Sequence, residues 1–320
     1  MTPDERSIAR KTLANMIPNP LPEVEGLDMA ALYLPCEQIG GDLYDVIPIA
    51  PDTIAFVIFD VSGQGVASAL IAAMAKVCFA NHLRQLSSPR AVIERVNAYL
   101  TRYLCHSCFV TAFVGYLDLH DNKLTYCNAG HSGLLVYTKN QNLLHTLPPC
   151  GTAIGVNGTE LYGEHSVHLH PGDWLLIHTK GVYGLFAQGD DRLGRQHFET
   201  FVSQTLEALS PGELMNRLKN RYTQTAQSAP PQDDIALLGV NVLTQSRRDQ
   251  LKTQLGFELE EPVYLQTIFY FEEMEKTTAV ILKAMDNQGF ADDAIRKMKI
   301  TLTELLVNAI DHGNNKDCSK

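Results

Sequence analysis

T-I-A-F-V-I-F-D-V-S-G-Q-G-V-A-S-A-L, residues 53–70, is the stretch on which the fold turns. Its first part, Thr53–Val61, is a continuous apolar, β-branched and aromatic run, which predicts a strand buried on both faces. Asp60 stands at the end of that run, and Ser62-Gly63-Gln64-Gly65 follows as a glycine-rich turn. Residues 66–83 are rich in Ala and carry Leu70, Met74 and Val77 at helical spacing, so a helix is expected there. A carboxylate at the edge of a buried strand is costly unless it has a partner, which directs attention to Asp60.

Working outward, residues 91–104 place Val92, Val96, Tyr99 and Tyr103 on one side of a second amphipathic helix. Further strands are expected at 109–119, 124–128, Leu134–Thr138, 174–179 and Ile235–Val242, separated by turn residues such as Asp121-Asn122 and Pro171-Gly172. Consecutive strands joined by tight turns, with helices between the blocks, indicate an α+β domain with mainly antiparallel sheets. Towards the N-terminus, residues 5–17 read as a short helix with Ile8, Ala9, Leu13, Met16 and Ile17 on one side, stopped by Pro18, Pro20 and Pro22. The polar stretch 244–251 marks a boundary, followed by an expected strand near 263–269 and helices near 271–287 and 292–312. The resulting division is a linker helix at 1–19, a main domain at 20–243 and a C-terminal module at 252–320.

The 320 residues are 45% apolar and 19% charged, a balance that excludes a largely disordered chain. A net charge of −10 argues against a general nucleic-acid binder, whose affinity rests on Lys and Arg. The most apolar stretch, 66–80, is interrupted by Lys76 and falls short of the ~18 residues of a spanning helix. No membrane partner is therefore expected, and the charged N-terminus shows no secretory signal. Seven cysteines scattered through apolar segments suit free thiols in a reducing cytoplasm.

Three acidic motifs carry the chemistry: Gly40-Gly41-Asp42, where glycines permit a bend; Asp60 with its glycine-rich turn; and Asp233-Asp234 opening the last strand. Acids converging on one site repel, and hard divalent cations such as Mg²⁺ or Mn²⁺ are the usual remedy.

With these motifs in order, the sequence resembles the SpoIIE-type serine phosphatases, bacterial members of the metal-dependent protein phosphatase 2C superfamily. The blocks that carry the resemblance are G-G-D-L-Y-D-V (40–46), D-V-S-G-Q-G-V-A-S-A-L (60–70), F-V-T-A-F (109–113), N-A-G-H (128–131), P-G-D-W-L-L-I-H-T-K-G-V (171–182) and D-D-I-A-L-L (233–238). The resemblance implies an αββα sandwich of two antiparallel sheets flanked by helices, with a two-metal site at one end. It casts Asp60 as the carboxylate bridging both metals and the Val61 carbonyl as a ligand. Asp42 would stand beside the second metal, and Asp233 would ligate the first. The implied reaction is hydrolysis of phosphoserine or phosphothreonine by in-line attack of a metal-activated water, with no nucleophilic side chain. The implied substrate is a small phosphoprotein of the anti-sigma-factor antagonist type.

One departure bears on activity. The family's fourth metal acid lies in Thr-Asp-Gly, and this chain has Thr179-Lys180-Gly181. A protonated ammonium there repels a cation and partly neutralises the remaining acids. Either the protein is a weakened enzyme that still holds at least one metal, or it is a degenerate phosphatase that binds a partner. Asp173 belongs to the separate Pro-Gly-Asp turn and does not replace the missing acid. Gln64 and Ala236 are milder departures, where the family often has His and Thr. His131 is expected to be a structural hydrogen-bonding residue, and Cys105–Cys108 lacks the second pair of a zinc site.

Residues 300–313, I-T-L-T-E-L-L-V-N-A-I-D-H-G, resemble the N-box of the histidine-kinase-like ATPase fold of anti-sigma-factor serine kinases. Glu304 and Asn308 are four apart and share a helix face, as nucleotide ligands would. No glycine-rich phosphate loop follows Gly313, so this truncated α/β module is not expected to bind ATP usefully. The family often carries an upstream sensory or receiver domain, which makes the helix at 5–17 a candidate for homodimerisation.

Overall fold

Thr53–Val61 is β3, and every residue from Ile54 to Phe59 is buried. It lies between β2 (Leu43–Ala50) and β4 (Val110–Asp118) in a five-stranded sheet completed by β5 (Lys123–Ala129) and β8 (His165–His168). The second five-stranded sheet runs β1 (Leu27–Leu34), β10 (Ile235–Val242), β9 (Trp174–His178), β6 (Leu134–Thr138) and β7 (Leu143–Thr146). All strand pairs within both sheets are antiparallel. This computed structural model describes residues 3–36, 39–50, 52–105, 107–187, 191–228, 233–245, 278–279, 281–283, 285–286 and 289–308.

Helices cover the outer faces. α2 (Gly65–Leu83) and α3 (Pro89–Leu100) lie on the sheet containing β3, whereas α5 (Asp191–Thr205) and α6 (Pro211–Ser228) cover the other, after the single-turn α4 (Gly181–Gly184). Alternation along β9 divides its residues between two cores. Leu175 and Ile177 face the inter-sheet layer, while Trp174 and Leu176 join Phe198, Val202 and Leu218 beneath α5 and α6. The expected αββα sandwich is therefore present. β1, β2, β7 and β8 add four strands to those the sequence pattern suggested.

Three expectations change. The second helix begins at Pro89, because Ser88 accepts a hydrogen bond from the Ala91 N–H at 3.2 Å, and it ends at Leu100 instead of 104. The helix Gly65–Leu83 is, by length and composition, long and apolar enough to cross a membrane, contrary to the sequence reading. Core helices meet the same criteria, and Ala72, Ala75, Phe79 and Leu83 of α2 are fully buried within the domain. Lys76 does not interrupt that burial, since its ammonium is paired with Asp45 at 2.6 Å and donates to the Tyr44 carbonyl at 2.8 Å. Finally, the N-terminal helix α1 spans Pro3–Ala14, and Leu13 and Ile17 pack into the main core while Ile8 is exposed.

The chain divides into two compact units, Met1–Val263 and Tyr264–Lys320. The expected strand at 263–269 and most of 271–287 lie outside the described residues. In the second unit, the helix Asp292–Asn308 carries both Glu304 and Asn308, whose side chains likewise lie outside the described residues.

Candidate metal centre

Four strand ends meet at one rim of the sandwich. Asp42 immediately precedes β2, and Asp60-Val61 closes β3; because Leu43 pairs with Phe59, these two ends are adjacent. Thr179-Lys180 follows β9, and Asp233-Asp234 precedes β10; the pairing of Leu237 with His178 makes those ends adjacent too. Asp42, Asp60, Val61, Lys180, Asp233 and Asp234 line one pocket of about 30 Å³.

The electrostatics show acids pressed together. Asp42 is 5% exposed. Burial, then the negative charges of Asp60 and Asp234, hold its carboxyl well above the ordinary range, although a hydrogen bond with Thr179 opposes this. Asp60 is also raised, by burial first, against the lowering effect of Lys180 and of a hydrogen bond with Asp42. Burial pulls the Lys180 ammonium down, but Asp60, Asp233 and Asp42 outweigh it and the net shift is upward. Its Nζ stands 3.7 Å from Asp233 Oδ1, with the side chains 57% and 43% exposed. Lys180 is therefore a cation here.

Backbone contacts hold the acids in place. Asp234 accepts from the Cys36 N–H at 2.8 Å and from the Gly41 N–H at 2.7 Å, tying the loop before β2 to the start of β10. A Cβ at Gly40 would strike the Asp234 carboxylate, so glycine is required there for space; neither Gly40 nor Gly41 has the positive φ that a tight bend would need. Gly63 and Gly65, at φ +94° and +77°, do need it for the turn between β3 and α2. Thr179 Oγ1 accepts from the Ala236 N–H at 3.0 Å, which places the hydroxyl between β10 and Asp42. Asp234 and Thr179 are positioning residues to which sequence reasoning gave no role. Their signal is only their membership of the Asp-Asp and Thr-Lys-Gly blocks.

The donors fit a divalent cation in kind and in location: carboxylates and a carbonyl, all hard oxygen ligands, around a small pocket. They are not disposed as a ready coordination sphere, since among the described residues no three His, Cys, Asp or Glu side chains stand in ligating geometry. Asp233 is directed at Lys180, and Asp42 at Asp60.

Other residues fall where their chemistry suggested. Asp173 is buried in its turn, accepting from the Lys139 N–H at 2.9 Å and the His170 N–H at 2.8 Å. His131 is buried, with Nδ1 3.1 Å from Thr111 Oγ1 and Nε2 3.0 Å from the His178 carbonyl, a structural role. Gln64 is the N-cap residue of α2 and lines the pocket. Ala236 is buried in β10.

Comparison with known proteins agrees with this architecture. The phosphoserine phosphatase RsbU of Bacillus subtilis is 26% identical over 178 residues, covering 56% of this chain and 53% of RsbU. The chain spans about half the length of the curated relatives it matches. The RsbU and RsbW domains of Rv1364c from Mycobacterium tuberculosis share the fold at a TM-score of 0.62 and 21% identity, covering 93% of this chain and 80% of that one. The SiaA-PP2C domain of Pseudomonas aeruginosa does so at 0.62 and 20% identity, covering 74% and 96%. Residues 50–243 match the model of stage II sporulation protein E, and this span contains β3, the turn into α2 and all the pocket acids except Asp42. The chain belongs to the SpoIIE family.

Proposed function

We propose that this chain is a metal-dependent phosphoserine/phosphothreonine protein phosphatase of cytoplasmic bacterial signalling, acting on a small phosphoprotein of the anti-sigma-factor antagonist type. The observation that carries this reading is the meeting of Asp42, Asp60, Asp233 and Val61 in one pocket from three distant parts of the chain. The kinship to RsbU supports it, as do the free thiols at all six described cysteines, which suit a reducing compartment.

Asp60, Asp42 and the Val61 carbonyl would hold one Mg²⁺ or Mn²⁺, and Asp60 with Asp233 would hold the other. A bound divalent cation would activate water and neutralise charge on the phosphoryl oxygens. The chain's own contribution is positioning. Asp234 and Thr179 fix the two loops that present the carboxylates. Lys180 puts a fixed positive charge beside Asp233 where a second cation would otherwise draw on that carboxylate. Of the two metal sites that the resemblance implies, one is thereby weakened or lost.

That same ammonium favours a second reading, a degenerate phosphatase that docks a phosphoprotein without hydrolysis. Assay of wild type and Lys180→Asp on a phosphoserine protein with Mn²⁺ separates the two. Activity in both proteins, rising severalfold in Lys180→Asp, is the expected result. An inert wild type beside an active Lys180→Asp protein would establish the degenerate reading.

A further inference from the structure

Lys180 is the one cation among the described residues that line the pocket, which otherwise presents the carboxyls of Asp42, Asp60, Asp233 and Asp234. Its main chain is fixed at that rim. The Thr179 N–H donates to the Ala236 carbonyl at 2.9 Å, and a Cβ on Gly181 would strike the Asp234 carbonyl, so this segment lies close against the start of β10. The side chain is held less tightly. Nζ stands 3.7 Å from Asp233 Oδ1, and 57% of the side chain is exposed. An ammonium offers three N–H donors, and one carboxylate at that distance leaves donors for an incoming anion.

Charge bears on what those donors can do. The family pattern puts a metal-binding carboxylate where Lys180 stands. A carboxylate and a divalent cation together carry one positive charge, which is the charge of a single ammonium. Asp60, Asp233 and Asp42 keep Lys180 protonated. The lysine therefore removes a metal ion from the rim and leaves the charge of the rim unchanged.

We propose that Lys180 takes the place of the second metal ion as a cation that binds the phosphoryl oxygens, an assignment that rests on the phosphatase reading above. The pocket is then a one-metal site with a built-in ammonium. A divalent cation held by Asp60, Asp42 and the Val61 carbonyl would neutralise one phosphoryl oxygen. Lys180 Nζ donates a charge-assisted hydrogen bond to another. It keeps its proton throughout, so it supplies charge and a donor only.

Orthophosphate binding to the full chain, read by titration calorimetry with the bound Mn²⁺ per chain counted by equilibrium dialysis, tests this without relying on turnover. Wild type should hold one Mn²⁺ at saturation. At one equivalent of Mn²⁺ it should bind orthophosphate about tenfold or more tightly than Lys180→Met, the change expected for one hydrogen bond between charged groups. Lys180→Asp should bind orthophosphate weakly at one equivalent and recover at two, when a carboxylate and a second ion replace the ammonium. The side chain is more than half exposed, so neither substitution disturbs the core. Equal orthophosphate affinity in wild type and Lys180→Met, or a wild type that holds two Mn²⁺, would overturn the proposal and leave the phosphatase reading standing. A wild type that holds no Mn²⁺ would overturn both.

Discussion

Burial and the adjacent charges of Asp60 and Asp234 make Asp42 an acid that the folded, metal-free protein prefers to keep neutral. A carboxyl raised on folding favours the folded state at low pH and costs stability as pH rises past its ordinary range. A bound cation reverses that cost. Asp42→Asn should therefore raise the melting temperature of metal-free protein at pH 7 by a few degrees and abolish the further rise given by Mn²⁺. Thermal melts with and without Mn²⁺ check this; an Asp42→Asn protein that Mn²⁺ stabilises as much as wild type would remove Asp42 from the site. Asp42, Asp60, Asp233 and Lys180 were legible because each sits in a short motif of distinctive composition. Asp234 and Thr179 were not. Their work is done on backbone amides of segments remote in sequence, Gly41 for one and Ala236 for the other.

Among the elements, α2 shows how a charged residue can belong to a core. Lys76 and Asp45 are paired inside the domain at 2.6 Å, with the Tyr44 carbonyl as a further acceptor. Removing one partner strands a buried charge, whereas replacing the ion by an apolar group of similar shape costs far less. Asp45→Ala should lose about 3–5 kcal/mol in urea denaturation, and Lys76→Met markedly less. Equal losses would mean that the pair is not desolvated as the geometry indicates. Lys76 read as an interruption in sequence because an apolar count does not reveal a partner on another element. β3, β4, β5, β6, β9 and β10 were legible as apolar runs between turn residues. β7 and β8 are short edge strands with largely exposed residues, so they carry no apolar pattern to read. In β2, Pro48 and the buried Asp45 disguise a strand whose first five residues are buried.

Across the whole molecule, stability should depend on pH through two histidines wholly enclosed in the sandwich. Burial lowers His131 to about 4 and His178 to about 3, each against a backbone hydrogen bond that raises it. A histidine lowered on folding is neutral in the native state, so its contribution is complete above about pH 6.5 and is lost as pH falls towards the native value. Between pH 6.5 and 4 each should cost about 1.4 kcal/mol per pH unit, steepening acid unfolding. Urea midpoints measured over that range check it; with His131→Asn and His178→Asn together, the slope should flatten. The same enclosure explains what the sequence could show of the site. Antiparallel strands buried on both faces put their ends at common rims, so acids at strand ends were recognisable as neighbours. How Lys180 meets Asp233 depends on the side-chain path after β9, which no pattern encodes.

Manganese-soaked crystals, with anomalous scattering used to place each ion, test the central claim most directly. The account expects one strong Mn²⁺ peak bonded to Asp60 and Asp42 in wild type, and a second beside Asp233 in Lys180→Asp. A saturated crystal with no manganese within bonding distance of Asp60 would contradict it.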